Sequence, residues 1–409
     1  MPKTCCIAGG GPAGMMLGYL LARAGLEVLV LEKHADFLRD FRGDTVHPST
    51  LEIMHELGLL DGFLKLPHRQ LTRVGARIGG EDVTLGDMSK LATRCRFMAL
   101  IPQWDFLNFL AVEAGRYAGF HLRMQTEVTG LIEERARIQG VHARTPAGPA
   151  EIRADLVIGA DGRSSIVRDQ AGLEVITTGA PTDVLWMRLS RRSGDPGLFA
   201  YSDRRKVFVL IDRGDYWQCG VPVPKGSFGI LQSKGIDAFR TDIVQMAPFL
   251  SDRVSELRDW TDVKVLTVKV DRLRQWYRPG LLCIGDAAHA MSPVGGVGIN
   301  LAIQDAVAAA NALIPVLTEG SVNVRHLRAI QRRREFPTRL TQFVQELIRR
   351  QIGGCITDPE PKRLPWLVRL LEKTGLPCRV RTRFIALGIR PEHIGGGLLR
   401  PLPSRVDGF

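Results

Sequence analysis

The chain has 409 residues, of which 45% are hydrophobic, and this is enough for a large core with two or three domains or subdomains. The formal charge of +12 is concentrated at one end, because residues 320–409 hold 18 Lys and Arg against 7 Asp and Glu. No nucleic-acid-binding motif accompanies this charge, so nucleic acid is not a predicted partner. No stretch of 18 apolar residues is free of charge, so no transmembrane helix is predicted.

The seven cysteines are scattered, with no C-x-x-C pair and no metal-ligand spacing, so no metal site is predicted. Adjacent Cys5 and Cys6 fall in a predicted core strand, where they act as small hydrophobes; a redox disulfide is the alternative. The N-terminus lacks the order of a signal peptide. We therefore expect a reducing, cytoplasmic environment.

The first 32 residues predict a βαβ unit. A short apolar run over residues 4–8 is followed by GGGPAG, a helical pattern, and the apolar run LEVLVLE, which ends at Glu32. Gly9 allows the tight turn, Gly11 lets a pyrophosphate approach the backbone, and Gly14 allows close packing of helix on strand. Glu32 is placed to accept both ribose hydroxyls and disfavours a 2′-phosphate there. The pattern predicts a dinucleotide site.

Two helices are predicted next, over residues 44–63 and 103–117. Arg42 precedes the first helix, where it can reach a phosphate; a solvated surface arginine is the alternative. His47 lies at the start of the same helix, and Gln103 begins the second.

Strand-like alternation follows over residues 120–160, and its last strand ends in the turn Ala160-Asp161-Gly162. Residues 182–224 and 264–272 show strand-like alternation, and Gly- and Asp-rich turns separate the alternating runs. This pattern predicts an antiparallel sheet. After Asn300 the chain is mostly helical to about residue 350.

The segment GLLCIGDAAHAMSPVGGVGINLAIQDA (residues 280–306) predicts a strand, a glycine-rich loop and a helix. Asp286 at the strand end is placed to hold a sugar hydroxyl, Pro293 stiffens the loop, and Asn300 is expected to cap the helix. The helix N-terminus would stabilise negative charge on the edge of a flat ring such as a flavin. A plain glycine-rich connection is the alternative.

GGGPAG with Glu32, FRGDTVHPSTLE, Gln103, GADGRSSIVR and GDAAHAMSPVGGVGIN occur in this order. Together they resemble the flavin-dependent aromatic hydroxylases, the para-hydroxybenzoate hydroxylase family, which includes the ubiquinone-pathway hydroxylases, over about residues 3–315. The resemblance implies an α/β fold: a Rossmann-like FAD-binding domain, an inserted antiparallel β-sheet substrate domain and a helical C-terminal region. The expected bounds are 1–178 and 269–330 for the FAD-binding domain, 179–268 for the substrate domain, and 331–409 for the basic C-terminal region.

The resemblance also implies the chemistry. NADH or NADPH would bind transiently and reduce FAD, and O₂ would form a flavin C4a-hydroperoxide that hydroxylates an aromatic or other electron-rich small molecule. The resemblance implies four groups of FAD contacts. The pyrophosphate would lie on Gly9, Gly11, Pro12, Ala13 and Gly14, and the adenosine end on Glu32, Lys33 and Val128. The phosphate and ribityl region would contact Arg42, Gln103, Asp161 and Asp286, and the ring would face Gly296, Val297, Gly298, Ile299 and Asn300.

Two residues are predicted near the reaction. Pro293 would shape the oxygen pocket beside the ring, and His47 would act as a base towards a phenol or, alternatively, cap its helix. Residues Tyr216, Trp217 and Gln218 are candidate substrate contacts, and strand alternation sends Trp217 to the face opposite the other two.

The segment LPWLVRLLEKTGLPCRVRTRFIALGI combines apolar and basic residues, from Trp366 to Arg383. It predicts either weak contact with an anionic membrane surface or a helix packed on the FAD-binding domain with solvated arginines.

Three other functions remain open. They are a flavin-dependent halogenase, a flavoprotein reductase or dehydrogenase of an isoprenoid or lipid substrate, and a prenyl-binding protein without flavin. Epoxidation or Baeyer–Villiger insertion, the choice between NADH and NADPH, and the oligomeric state are also open.

Overall fold

The computed structural model describes residues 4–38, 45–78, 80–197, 199–203, 206–357 and 376–396. The β-strands in chain order are β1 Thr4–Ala8, β2 Glu27–Leu31, β3 Thr45–Val46, β4 Arg69–Leu71, β5 Arg73–Ile78, β6 Glu81–Asp87, β7 Met98–Leu100, β8 Phe120–Arg123, β9 Glu127–Glu134, β10 Arg137–Thr145, β11 Gly148–Arg153, β12 Leu156–Gly159, β13 Val175–Thr177, β14 Thr182–Ser190, β15 Ala200–Asp203, β16 Lys206–Asp212, β17 Tyr216–Pro224, β18 Lys264–Leu266, β19 Asp271–Leu273, β20 Tyr277–Arg278 and β21 Leu281–Cys283.

The α-helices in chain order are α1 Pro12–Arg23, α2 Pro48–Glu56, α3 Leu60–Phe63, α4 Gln103–Ala114, α5 Ile166–Gln170, α6 Phe228–Ser233, α7 Ile236–Met246, α8 Gly298–Glu319, α9 Val324–Thr357 and α10 Leu376–Leu387. The sequence-based helix over residues 44–63 is thus two helices preceded by a short strand. The α/β class and the helical C-terminal part are confirmed.

The first sheet has six strands in the order β20-β21-β12-β1-β2-β8, and all neighbours except β20 and β21 run parallel. Parallel strands buried on both faces are nearly continuous apolar runs, and β1 and β12 have this character. The carboxyl ends of β1, β2, β12 and β21 therefore meet at one edge, where ligands bind in open α/β sheets.

Adjacent Cys5 and Cys6 are both buried in β1, and neither is in a disulfide. Burial raises the pKa of both thiols. A raised pKa keeps a thiol in its unreactive protonated form, so the placement favours the role of small core residues over a redox pair.

The second large sheet has seven strands in the order β18-β14-β17-β16-β15-β5-β6. One face packs against α7 through Leu185, Phe208 and Ile243, and the other carries an apolar cluster that includes Val184, Trp186 and Leu100. Two of its strands, β5 and β6, come from residues 73–87, which the sequence-based bounds place with the FAD-binding domain. The sheet thus draws on two separate parts of the chain.

Helix α8 is the central helix of the larger core and packs on α1. Within the described ranges, the segment Val294–Glu319 is the one helix long and apolar enough to cross a membrane by length and composition, and 67% of its most apolar window is buried inside the protein. Such burial is typical of a core helix.

Helix α10 and the residues after it pack on the body of the protein. Thr382 of α10 is buried, and its hydroxyl oxygen accepts from the Asp87 N–H at 3.0 Å. The Glu56 carboxylate of α2 accepts from the Ile394 N–H at 2.8 Å. Arg379 and Arg383 are exposed on the outer side. The described part of this segment is therefore a helix packed on the body of the protein with exposed arginines, and this packing leaves the question of membrane contact untested. Residues 358–375, with Trp366, lie outside the described residues.

Candidate active site

Among Gly9, Gly11 and Gly14 of the glycine turn after β1, one position is open and two are closed. A Cβ at Gly9 would lie 2.3 Å from the Ala160 carbonyl oxygen, and a Cβ at Gly14 would lie 2.0 Å from the Gly9 oxygen. At Gly11 a Cβ would meet nothing within 4 Å. Gly11 is also the N-cap of α1 and provides no side-chain cap. The helix N-terminus thus presents bare backbone N–H groups to an open space, which suits a phosphate.

Glu32 follows β2 and turns back to this turn. Its Oε2 accepts from the Gly10 N–H at 3.0 Å, and its Oε1 accepts from the His34 N–H at 3.1 Å. Each carboxylate oxygen has further lone pairs, so a ribose can still bind. Lys33 beside it is exposed, and Val128 is buried at the start of β9.

The Asp161 carboxylate belongs to its own turn. Its oxygens accept from the Ser165 hydroxyl at 2.5 Å and from the Val167 N–H at 3.1 Å, at the start of α5. Burial raises the pKa of Asp161, and these hydrogen bonds offset part of the rise. Asp161 therefore shapes the turn that packs on Gly9, and this geometry favours an indirect role towards FAD.

Asp286 lies just beyond β21, after Ile284 and Gly285, and about a third of its side chain (32%) is exposed at the carboxyl edge of the sheet. The Arg163 Nη2 atom lies 3.5 Å from Asp286 Oδ2 and joins the two sequence motifs GADGRSS and GDAAH. The sequence analysis gave Arg163 no role. A basic residue directly after the Asp161-Gly162 turn is the signal that was available.

The loop over residues 285–300, called here the 285–300 loop, ends at α8. Helix α8 begins at Gly298 with Val297 as N-cap and no side-chain cap. The expectation that Asn300 caps this helix is wrong. Its amide donates to the Thr45 and Gly296 carbonyls at 3.0 and 3.2 Å, and its oxygen accepts from the His47 N–H at 2.9 Å. Asn300 therefore fastens the loop to β3 and α2, and the helix N-terminus keeps its donors for a ligand.

The remaining ring-loop positions differ in exposure. Val297 and Ile299 are buried, whereas Gly296 and Gly298 are half-buried and Pro293 is exposed. A Cβ at Gly296 would lie 2.1 Å from the Thr45 hydroxyl, so glycine is required there.

Helix α9 holds the other side of the loop. The Gln345 amide donates to the Ser292 and Val294 carbonyls at 2.9 and 2.8 Å, and the Gln342 amide donates to the Ala290 carbonyl at 3.1 Å. These glutamines were missed because a polar residue on a helix carries no local sign of a partner about fifty residues away.

His47 is buried at the N-cap position of α2, but its ring does not cap the helix. The Nδ1 atom lies 2.7 Å from the Ile385 carbonyl oxygen of α10. Burial lowers the pKa of His47 to about 4. Such a weak base, tied to α10, is better suited to holding the C-terminal region than to accepting a substrate proton.

The three candidate substrate residues lie on β17 with the predicted alternation. Trp217 is buried on the face covered by α7, where its Nε1 donates to Asp195 at 2.8 Å. Tyr216 and Gln218 lie on the opposite face, where Arg188 stacks over the Tyr216 ring at 5.1 Å and Arg213 donates to the Gln218 amide oxygen at 3.0 Å.

A cavity of about 400 Å³ borders the 285–300 loop at Ser292 and lies between residues 178–182, residues 268–272 and α9. This volume is within the range of small-molecule sites. Its lining includes Thr182, which lies at one end of β14. Ser190, which pairs with Tyr216, lies at the other end of that strand, so the cavity is separate from the surface around Tyr216.

These residues fit FAD. The open Gly11 position would receive the pyrophosphate, Glu32 the adenosine ribose, Asp286 the ribityl chain, and the uncapped α8 N-terminus the ring edge. Gln103 is the first residue of α4. Arg42 lies outside the described residues. Fold and site together define a flavin-dependent oxidoreductase.

The chain belongs to the family described as FAD binding domain, whose model matches residues 3–344. It is 32% identical, over 83% of its length and 82% of the relative's, to 6-methylpretetramide 4-monooxygenase from Streptomyces rimosus. For several other relatives the chain spans only 60 to 64% of their length. The predicted class, an FAD-dependent aromatic monooxygenase, is thereby confirmed.

Two solved structures show the same fold. The anhydrotetracycline hydroxylase from Streptomyces rimosus superposes with a TM-score of 0.76 at 23% identity and covers 97% of this chain and 78% of its own. The flavin-dependent halogenase CmlS superposes with a TM-score of 0.75 at 19% identity and covers 96% and 74%. At these identities the likeness concerns the fold alone.

Proposed function

We propose that this monooxygenase hydroxylates an aromatic carbon of a fused-ring phenolic molecule, with NADH or NADPH as reductant and O₂ as the oxygen source. The observation that carries the proposal is the apolar sheet face formed by Val184, Trp186 and Ile211, which packs with Leu100 of β7 and Val268. Val184, Trp186 and Ile211 each have 9% or less of their surface exposed, so this face is a packed apolar layer, and an apolar layer with an indole ring suits the border of a ring-binding site. The name of the 32% identical relative supports a multi-ring aromatic substrate.

The side chains of this face have separable roles. The Trp186 ring lies against Gly220, where a Cβ would come within 2.9 Å of it, and is proposed to form part of the substrate floor. Tyr216 and Gln218, on the same face, are proposed as polar substrate contacts; Trp217, on the other face, is not. Pro293, exposed on the 285–300 loop, is proposed to border the reacting carbon.

The bound FAD supplies the activation of O₂, and the chain supplies binding, orientation and exclusion of water. The apolar face removes water from the ring, and the clamped loop fixes where the ring edge lies. His47 is proposed as a positioning residue, because its ring is directed to the Ile385 carbonyl.

The test is coupled turnover with a panel of fused-ring phenols. We expect oxidation of NADH or NADPH to accelerate with a substrate, and the product to gain one oxygen atom that carries the label from ¹⁸O₂. Coenzyme oxidation that yields only peroxide with every compound contradicts the proposal and favours a reductase. A product that gains chlorine or bromine in place of oxygen indicates a halogenase.

We place the protein in the cytoplasm and propose weak contact with anionic membrane surfaces through Arg379 and Arg383 of α10. Both side chains are exposed while the helix packs on the body. The full-length chain is expected to sediment with phosphatidylserine vesicles at low salt, and an Arg379→Ser/Arg383→Ser variant is expected not to. An Arg258→Ser variant is the control, because that arginine is exposed elsewhere (85% of its side chain). Equal sedimentation of all three proteins contradicts the proposal.

A further inference from the structure

Four titratable side chains from four different elements form a buried network beside the FAD site. They are His289 of the 285–300 loop, Asp305 of α8, Arg334 of α9 and Glu392 after α10. Each has 2% or less of its surface exposed. Charged side chains are rarely so buried unless they are paired and bonded.

Asp305 is the centre of this network. Its Oδ2 accepts from the Gly285 N–H at 3.1 Å and lies 2.5 Å from His289 Nε2, while its Oδ1 accepts from Arg334 Nε at 2.9 Å. Burial raises the pKa of Asp305, but the neighbouring His289 and Arg334 lower it by a larger amount, so the net shift of the pKa is downward. The carboxylate is therefore ionised at neutral pH and directs one oxygen at the backbone of the loop.

Asp305 holds the backbone of Gly285, the residue directly before Asp286. Gly285 has a positive φ of 58°, and a Cβ there would lie 3.0 Å from the Ala13 Cβ and 3.3 Å from the Ala302 Cβ. The Gly285–Asp286 turn is thus wedged between the first turn of α1 and α8. A small shift of this turn moves Asp286 relative to the pyrophosphate turn at residues 9–14.

The network extends to the C-terminal segment. Arg334 Nη1 donates to Glu392 Oε1 at 3.3 Å, and Arg333 Nε donates to the other Glu392 oxygen at 2.7 Å. The segment is also anchored by the Asn311 amide, which bonds the Gly395 N–H and the His393 carbonyl at 2.8 Å.

We propose that the Asp305–His289–Arg334–Glu392 network is a positioning device that sets the Gly285–Asp286 turn, and that residues 376–396 thereby contribute to FAD affinity. The inference rests on the assignment of Asp286 to the ribityl chain. An apolar core would stabilise the fold as well as a buried ion network does, so stability alone does not explain the network. The hydrogen bond from the Gly285 N–H to Asp305, in contrast, fixes the position of the Gly285–Asp286 turn.

The test is a double-mutant cycle on the dissociation constant of FAD, measured by fluorescence titration of apoprotein. Asp305→Asn and Asp286→Ala are each expected to raise the constant at least tenfold. If Asp305 acts through the turn, Asp305→Asn adds less than threefold in the Asp286→Ala background, because sites in one network are not additive. Full multiplication of the two effects overturns the proposal, as does an Asp286→Ala variant with unchanged affinity.

A matched control separates positioning from general stability. Asp195 and Arg253 form another buried ion pair, at 2.9 Å, on the far side of the seven-stranded sheet. Asp195→Asn is expected to lower the melting temperature without changing FAD affinity, whereas an equal loss of affinity in both Asn variants overturns the proposal.

A milder variant protects the test against misfolding. Glu392→Gln leaves Asp305 and His289 paired and weakens only the anchor of Arg334. We expect it to raise the FAD dissociation constant three- to tenfold, again with little effect in the Asp286→Ala background; an unchanged constant contradicts the contribution of the C-terminal segment. FAD binding by the unaltered chain, with substrate-dependent coenzyme oxidation, tests the proposed function separately.

Discussion

At the scale of single residues, the glycine turn separates positions that serve the fold from positions that serve the ligand. Gly14 is closed by the Gly9 backbone, whereas Gly11 faces open space with φ −75°, a conformation open to any residue. The sequence motif predicted both roles, because the spacing of the glycines follows from the strand–turn–helix geometry.

We expect Gly11→Ala to fold normally and to lose FAD, because its methyl group enters only the space of the pyrophosphate. Gly14→Ala is expected to destabilise the apoprotein, since its methyl group meets backbone that cannot move aside. Thermal unfolding of both apoproteins, together with the flavin content after purification, checks the pair. A Gly11→Ala variant that keeps full flavin contradicts the assignment.

Asp286→Ala is expected to purify with much less flavin than the unaltered chain, because the ribityl chain loses its carboxylate acceptor. The ratio of absorbance at 450 nm to that at 280 nm gives the flavin content. Asp61→Ala, at an exposed aspartate in α3, is the control and should retain it. Full retention in Asp286→Ala would remove this residue from the FAD site.

His47 should make stability depend on pH. Its pKa is about 4 in the folded protein against an ordinary value of 6.5, so the unfolded chain binds a proton more readily. The contribution is fully present above pH 6.5 and is lost as the pH falls towards 4, by about 3 kcal/mol in all.

We expect His47→Gln, which keeps an N–H donor for the Ile385 carbonyl, to lose less stability than the unaltered chain between pH 7 and pH 4.5. Melting temperatures across this range measure the difference. Parallel curves for the two proteins would mean that His47 is not the titrating group.

Residues whose partners are distant in sequence were beyond prediction. The role of Asn300 depends on Thr45 and His47, about 250 residues away, and the ring of His47 depends on Ile385, 338 residues away. Local pattern placed both residues in the site but assigned their hydrogen bonds to the nearest helix end.

At the scale of secondary-structure elements, the parallel sheet and α8 could be predicted because buried apolar runs and glycine turns are local signals. The sequence analysis did not assign β5 and β6 to the seven-stranded sheet, although Val74, Ala76 and Ile78 occupy alternate positions before Gly80. The alternation was available as a hairpin signal, but pairing of β5 with β15 joins residues more than 120 positions apart.

The contact between β14 and β17 gives a prediction for this scale. Gly220→Ala would push the Trp186 ring away, because its Cβ would lie 2.9 Å from that ring. We expect a loss of about 1–3 kcal/mol in stability and a raised KM for the aromatic substrate, with normal FAD content. Gly229→Ala, in an open position of α6, is the control. An unchanged KM would mean that Trp186 is not part of the substrate floor.

At the scale of the whole molecule, the site is held by contacts between segments that lie far apart in the chain. The 285–300 loop receives hydrogen bonds from α9, and the buried network ties it to the segment after α10. The basic C-terminal region, which sequence alone described mainly by its charge, is in its described parts an integral support of the site.

The seven-stranded sheet draws on two separate parts of the chain, and this limits how the gene can be divided. A fragment of residues 179–268 lacks β5 and β6, so β15 becomes a bare edge open to pairing with another copy. We expect this fragment to self-associate, and a fusion that appends residues 69–90 through a flexible linker to remain monomeric, as judged by size-exclusion chromatography with light scattering. A monomeric, folded 179–268 fragment would contradict this. Recombination with relatives should therefore exchange both segments together, since either one alone leaves the seven-stranded sheet incomplete.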